Sequence, residues 1–486
     1  MYGGWTVSGT LSNKDRMQIP IQDMPEQDPM KRVKNFTEVP LGYQMEAALE
    51  ESMRCLDGCK APCIKGCPVG IDIPAFIKKI EVQDFIGAAK VLKKYNLLPA
   101  ICGRVCPQQE QCELVCVVAK KVPSVAIGRL ERFAADFERM SGLVEIPEMA
   151  PPTGRKIAIV GSGPAGLTGA SELARLGHKV TIFEALHRPG GVLVYGIPRF
   201  RLPIDVIDNE IEMLKKMGVE IICNAVIGKT LTIDDLFTQG YEAVLVGTGA
   251  GLPYFMNIPG ENLCGVYSAN EFLTRVNLMR ADLFPDNLTP VFLGKKVAVI
   301  GAGDTAMDSS RTAKRLNPEK VTVYYRRSRE EAPCLPREME HAEQEGVEFK
   351  FLTNPVRFIG DENYFVKGME CVKMELGEPD ASGRRSPRPI PGSEYIEEVD
   401  TVVMALGFGV NPIIKETTPG LETNKKGVII VDPDTGRTSR EGVYAAGDII
   451  TGGATVIKAM GQAKKAAKAI HEYLLTKNLD KEMAKT

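Results

Sequence analysis

Cysteines are the first residues whose spacing could do chemistry. Cys55, Cys59, Cys63 and Cys67 fall in "RCLDGCKAPCIKGCP", and Cys102, Cys106, Cys112 and Cys116 in "CGRVCPQQEQCELVC", while Cys223, Cys264, Cys334 and Cys371 stand alone. The spacing of the first group would line one face of a helix. Gly58, Pro62, Gly66 and Pro68 break regular helix, however, so the stretch reads as a loop that divides its sulfurs. In a chain of 486 residues such clustering favours metal over disulfides. Two chemistries compete. Zinc held by four thiolates would give folding without an electron path. Proline after Cys67 and after Cys106 instead matches ferredoxin-like ligation, in which the cysteine beside proline often serves a different cluster from its neighbours.

The rest of the chain favours the redox reading. In "KIAIVGSGPAGLTGASELARLGHKVTIFEA", Gly161, Gly163, Pro164, Ala165 and Gly166 join a strand to a helix, and Glu184 ends the next strand. That is a dinucleotide turn: the helix N-terminus faces a pyrophosphate and the carboxylate accepts from a ribose. "KKVAVIGAGDTAMDSSRTAKRLNPEKVTVYYRRS" repeats it with Gly301, Gly303, Asp304, Thr305 and Ala306, but its second strand ends in Tyr325, Arg326 and Arg327. Guanidinium groups there would pair with the extra phosphate of NADP(H), which a carboxylate would repel. Two unlike sites imply FAD at one and NADP(H) at the other. In "GVYAAGDIITGGATVIKAMGQAKKAA", Asp448 after Gly447 can bind a flavin ribityl hydroxyl, and a helix starting at Thr455 and Val456 would aim its N-terminus at the flavin ring.

These sites need elements to hold them. From Lys156 onward β-branched runs alternate with helical stretches at residues 164–177, 304–316 and 455–475, a doubly wound α/β pattern. A partial repeat, "AVLVGTGA" echoed by "TVVMALGF", supports two Rossmann-like domains. The expected organisation is a helical iron-sulfur domain at residues 1–145 and an FAD domain at 153–253 and 402–486, with an NADP(H) domain at 254–401 inserted in it. Residues 1 to about 40 read as a polar arm laid over another surface or a partner, and 376–394 as a hairpin tip. With 60 basic and 62 acidic residues and a formal charge of −2, nothing global recruits nucleic acid or a membrane surface. Neither a membrane span nor a signal peptide is evident, so a cytoplasmic location is expected. His178, His187, His341 and His471 are scattered and read as structural or solvated.

From about Arg32 to the end, the chain resembles the glutamate synthase small-subunit family. It is similar in particular to the single-chain "homotetrameric" type and to the large subunit of NADH-dependent ferredoxin:NADP oxidoreductase. "NFTEVPLGY", "GCPVGIDIPAFI", "GRVCPQQEQCE", "IGRLERFAAD", "RPGGVLVYGIPRFRLP" and "SGRRSPRPIPGSEY" carry the likeness. The resemblance implies that Gly191 of "RPGG" wraps FAD and that Arg201 approaches the flavin ring. It also implies two 4Fe-4S clusters. Cys55, Cys59, Cys63 and Cys116 would hold the first; Cys67, Cys106, Cys112 and the non-cysteine ligand Glu131 the second, with Cys102 outside both sets. Cys59 is displaced by one residue from the family pattern, Gly58 being inserted before it.

The implied activity is oxidoreduction: electrons pass between NADP(H), FAD and two clusters, to or from a protein partner in an oligomeric complex. That partner would be a glutamate synthase catalytic subunit, or a small FAD/2Fe-2S subunit working with ferredoxin in electron bifurcation. No cysteine stands near the amino terminus and no length remains for a barrel, so the chain is not expected to make glutamate from glutamine alone. A thioredoxin-reductase-like reductase would need paired cysteines in the nucleotide domain, where they are isolated. A cluster-bearing scaffold with relic nucleotide sites would not need intact glycine turns.

Overall fold

The computed structural model describes residues 11–381 and 383–483, the side chains of 478–483 apart. Residues 1–10 of the expected arm, Ser382 of the expected hairpin and residues 484–486 of the expected FAD segment lie outside the described residues.

The β-branched runs become parallel strands covered on both faces, and Lys156–Val160 is buried at every position after its first. It centres a five-stranded parallel sheet with the order Val443–Ala445, Ala243–Val246, Lys156–Val160, Lys179–Phe183, Glu220–Ile222. A second five-stranded sheet repeats that order with Val266–Ser268, Thr401–Met404, Lys296–Ile300, Lys320–Tyr325 and Glu348–Phe351. The sequence echo is therefore topological, since Ala243–Val246 and Thr401–Met404 each flank the central strand of their sheet.

The same pairing corrects one boundary. A return to the first fold at residue 402 would cut Thr401–Met404, which belongs to the second sheet. The chain leaves through Leu252–Pro253 and comes back through Phe408–Gly409, and these two segments pair antiparallel at the crossing. Between Thr353 and Glu397 an antiparallel sheet is appended, and the expected hairpin is the turn from Val366–Pro379 into Arg385–Pro389. Arg385 reaches Glu331 (2.5 Å), so the hairpin lies against the second fold.

Ahead of the first sheet, Met45–Ser52, Ile73–Glu81, Phe85–Tyr95, Pro99–Val105 and Ile127–Ser141 form the helical unit. Asp72 and Asp84 start two of these helices by accepting from the Ala75 (3.2 Å) and Gly87 (2.9 Å) backbone N–H groups. This unit shares one continuous apolar core with the first sheet and with the long helix Val456–Met483. No helix among the described residues is long and apolar enough to cross a membrane.

The arm straps these parts together. Arg16, 1% exposed, pairs with Asp57 (2.9 Å) and Glu81 (2.8 Å) and donates to the Cys55 carbonyl (3.2 Å). Farther along, the Val39 N–H donates to the Phe200 carbonyl (2.9 Å), and the Asn35 carbonyl accepts from Arg315 (2.9 Å). Arg32 donates to Glu345 (2.9 Å), which also accepts from Arg311 (2.9 Å) and Arg315 (2.6 Å). Phe200 lies under the Arg311 and Arg315 guanidinium groups, 4.7 and 3.9 Å from its centroid.

Burial opposes the Glu345 charge, but Arg315 and Arg311 more than offset it and hold the carboxyl down at about 2 against an ordinary 4.5. Glu345→Gln would leave three guanidinium groups facing a neutral amide, and it is expected to destabilise the protein by about 3 kcal/mol in denaturant unfolding at pH 7. Because the folded-state pKa is depressed, the stabilisation is full above about pH 4.5 and is lost as pH falls toward 2, so the difference between the two proteins should close across that window.

Candidate functional site

A cavity of about 820 Å³ opens between the two folds. Gly161, Gly163, Pro164, Ala165, Glu184, Gly191, Gly447, Asp448, Thr455 and Val456 line it from the first fold, and Asp304 and Thr305 from the second. Gly166 lies behind the wall. A Cβ there would stand 1.9 Å from the Gly161 carbonyl oxygen, so only glycine lets the helix Pro164–Arg175 start this close to the strand. Glu184, 5% exposed, accepts from the Ser162 backbone N–H (2.9 Å) and from Leu186 N–H (2.8 Å), and Ser162 Oγ donates to it as well. Ser162 escaped the sequence reading, although its place inside the glycine turn was a signal. Gln462 accepts from the Gly447 N–H (2.8 Å), and burial raises the Asp448 carboxyl while the Ala454 N–H pulls it the other way.

The second turn is built alike, with Gly301 at φ 124° and Gly303 capping Asp304–Arg315. Asp304 is turned toward its own fold, accepting from the Leu335 N–H (3.0 Å) beside Cys334, and Ala306 is buried. The expected arginine pair divides. Arg327, 5% exposed, donates to the Arg385 carbonyl (2.8 Å) and to Asp380, so its guanidinium is committed to the hairpin. Arg326 is exposed and has no ion pair among the described residues.

Arg201 reaches the cavity and also spans it. It lines the cavity, but its charge faces Asp308 on the second fold in a bidentate pair (2.9 and 2.9 Å), with Glu338 at 3.5 Å. Burial opposes that charge, and the carboxylates outweigh it, so the guanidinium is held more firmly protonated than usual. A cation so neutralised bridges the two folds.

The cysteines gather in two places. Cys55, Cys59, Cys63 and Cys116 border one small cavity together with Pro62, Ile73, Ile77 and Ile127. The displaced Cys59 reaches it through a loop whose Gly58 and Ala61 take positive φ, 67° and 47°. Burial and the like charges of their neighbours push the Cys55 thiol up to about 12 and that of Cys63 up to about 11. Negative charge gathered among clustered sulfurs is costly unless a cationic centre stands among them, and iron would supply that charge.

In the second place, Cys67, Cys106 and Cys112 all stand within electrostatic reach of Glu131. Glu131 is 5% exposed on the helix Ile127–Ser141 and accepts from Asn96 Nδ2 (2.8 Å). Burial raises its carboxyl to about 8, the Asn96 bond acting in the opposite sense. Cys102, fully buried, stands beside Cys106 with its sulfur 3.5 Å from that of Met460. No three His, Cys, Asp or Glu groups among the described residues converge on a single-ion site.

The two halves of the molecule meet at the cavity. Val105 and Pro107, on either side of Cys106, line it, and Gln111 donates to Thr455 Oγ1 (3.5 Å). Sequence inspection also separated His178 from His471, yet His178 Nε2 and His471 Nδ1 are 2.8 Å apart, tying Val456–Met483 to the first sheet. Cys223, Cys264, Cys334 and Cys371 form no pair.

Comparison with known proteins agrees with this division. Residues 32–143 match the family described as dihydropyrimidine dehydrogenase domain II, 4Fe-4S cluster, and residues 155–466, more than half the chain, match the pyridine nucleotide-disulphide oxidoreductases. The glutamate synthase [NADPH] small chain of Azospirillum brasilense is 36% identical over 94% of this chain and 95% of its own length. The NADP(+)-dependent formate dehydrogenase subunit beta of Moorella thermoacetica is 39% identical over 85% of this chain, which spans only 60% of that longer protein. Among solved structures, FprA of Mycobacterium tuberculosis in complex with NADPH shares the fold, with a TM-score of 0.55 at 21% identity over 68% of this chain and 86% of that one. The chain therefore belongs to the pyridine nucleotide-disulphide oxidoreductases, in the group that carries an N-terminal 4Fe-4S domain and includes the glutamate synthase small chains.

Proposed function

We propose that this chain is the NADPH-linked electron-transfer subunit of a larger complex, working between NADP(H), FAD and two 4Fe-4S clusters. One observation carries the reading: residues that flank Cys106 line the same cavity as both dinucleotide turns, so a nicotinamide, a flavin and the nearer cluster would have adjoining seats. FAD, when bound, supplies the conversion of a two-electron hydride into single electrons. The chain supplies the rest. The turn around Gly161 and Gly163 receives one pyrophosphate and that around Gly301 and Gly303 the other, with Arg326 as the cation available to a 2′-phosphate. Arg201 and Asp308 hold the two folds at a fixed separation across the cavity. Cys67, Cys106, Cys112 and Glu131 would hold the nearer cluster, and Cys55, Cys59, Cys63 and Cys116 the farther one.

A protein partner fits the outer face of the cysteine unit. Leu114 is 65% and Val115 40% exposed beside Cys116. Lys60, Lys65, Lys120 and Lys121, all exposed near the ligand cysteines in sequence, have no ion pair among the described residues. An apolar patch with unpaired lysines near it suits an acidic partner surface. Native anaerobic purification identifies it: a copurifying barrel-bearing subunit means a glutamate synthase, and a small FAD/2Fe-2S subunit means electron bifurcation with ferredoxin.

Anaerobic titration with NADPH should bleach the flavin absorbance and bring up iron-sulfur EPR signals in the same sample. A flavin that stays oxidised would overturn the reading. Arg326→Ala is expected to raise the KM for NADPH roughly ten-fold or more, as loss of a charged hydrogen bond does, and to leave that for NADH unchanged.

A further inference from the structure

We propose that Asn96 is a positioning residue for the second cluster: its side-chain amide saturates one carboxylate oxygen of Glu131 and so determines which oxygen is offered to iron. This rests on the reading of Glu131 as a ligand. Asn96 ends the helix Phe85–Tyr95 and is 1% exposed, so its amide groups need protein partners. Its backbone N–H donates to the Leu92 carbonyl (2.8 Å), and its Oδ1 accepts from the Leu98 N–H (2.9 Å). A backbone N–H can only donate, so the amide oxygen must face Leu98 and the amide nitrogen must face Glu131. Nδ2 then donates to Glu131 Oε1 at 2.8 Å. Oε2 accepts from no donor among the described residues, which leaves it as the oxygen free to ligate.

Position is fixed from the flavin side as well. Lys464 donates to the carbonyl of Tyr95, the residue before Asn96, at 2.5 Å, and it stands on the helix Val456–Met483, whose first residue lines the cavity. The amide is thus held between the helix that starts at the flavin seat and the carboxylate among the cysteines.

A hydrogen bond to a ligand oxygen withdraws electron density from it and favours the reduced cluster. Removing the donor should move that cluster to a more negative potential without emptying it. The full holoprotein carrying Asn96→Leu is compared with the parent for iron per chain and for EPR-monitored redox titration. One cluster should keep its iron, shift negative and change its EPR line shape, while the other stays as it was. Asn96→Asp retains the acceptor for Leu98 and sets a second carboxylate against Glu131, so it should shift the same cluster further or release it; this variant decides the matter if Asn96→Leu does not fold. Glu131→Ala separates the two layers of the argument. If it alters a cluster while both Asn96 variants leave potentials and spectra unchanged, the Asn96 role is overturned. If Glu131→Ala itself changes neither iron content nor spectra, the ligand reading falls and the Asn96 role with it.

Discussion

A single buried carboxylate sets the relation between the parts of this molecule. Glu345 has no exposed side-chain surface, and it accepts from Arg32 of the arm and from Arg311 and Arg315 of the second fold. None of these charges could be buried alone without a penalty of several kcal/mol. Satisfying all of them at once requires the arm to lie across the helices of the second fold and brings Phe200 of the first fold under two of the guanidinium groups. Arg201, one residue on, then meets Asp308. Arg199 with Asp282 (2.7 Å) and the Asn277 amide on the Tyr195 carbonyl (3.3 Å) join the folds as well, beside the two short crossing segments, so the width of the cavity depends on this set of polar contacts.

The seam orients the second fold, and one helix joins the first fold to the cysteines. Val456–Met483 begins at the cavity and runs back along Pro164–Arg175. Met460 touches Cys102, Lys464 holds the end of Phe85–Tyr95, and His471 meets His178. Gly461 makes the closest approach: a Cβ there would lie 2.7 Å from the carbonyl oxygen of Pro68, next to Cys67. Only a residue without a side chain brings a flavin-domain helix this near to a cysteine loop. Fold stability and the closeness of the redox seats therefore rest on the same contacts.

This division explains what could be read from the sequence. Each dinucleotide turn is a local object, in which strand, glycines, helix and terminal acid follow one another, and all the first-turn residues named from sequence but Gly166 reach the cavity wall. Grouping the cysteines required the family resemblance, because loops with positive φ at Gly58 and Ala61 have no period to count. What stayed unread at the arginines turned on distant partners. Arg327 meets Asp380 and Arg201 meets Asp308, separated by 53 and 107 positions, and no local pattern announces such pairs. The boundary at residue 402 cuts a strand that flanks the centre of the second sheet and resembles its counterpart in the first.

The two cysteine sites, on the ligand sets proposed above, have different polar neighbours. At the first site Arg16, itself withdrawn from water, donates to the Cys55 carbonyl while Asp57 and Glu81 share its charge. At the second site Glu131 brings no such cation: burial raises its carboxyl to about 8, and Asn96 donates to it. Reduction adds a negative charge wherever it occurs, so the two sites would meet that charge with different neighbours. The arm that carries Arg16 carries Arg32 as well, so the segment that fixes the second fold also braces the loop of the first cysteine group.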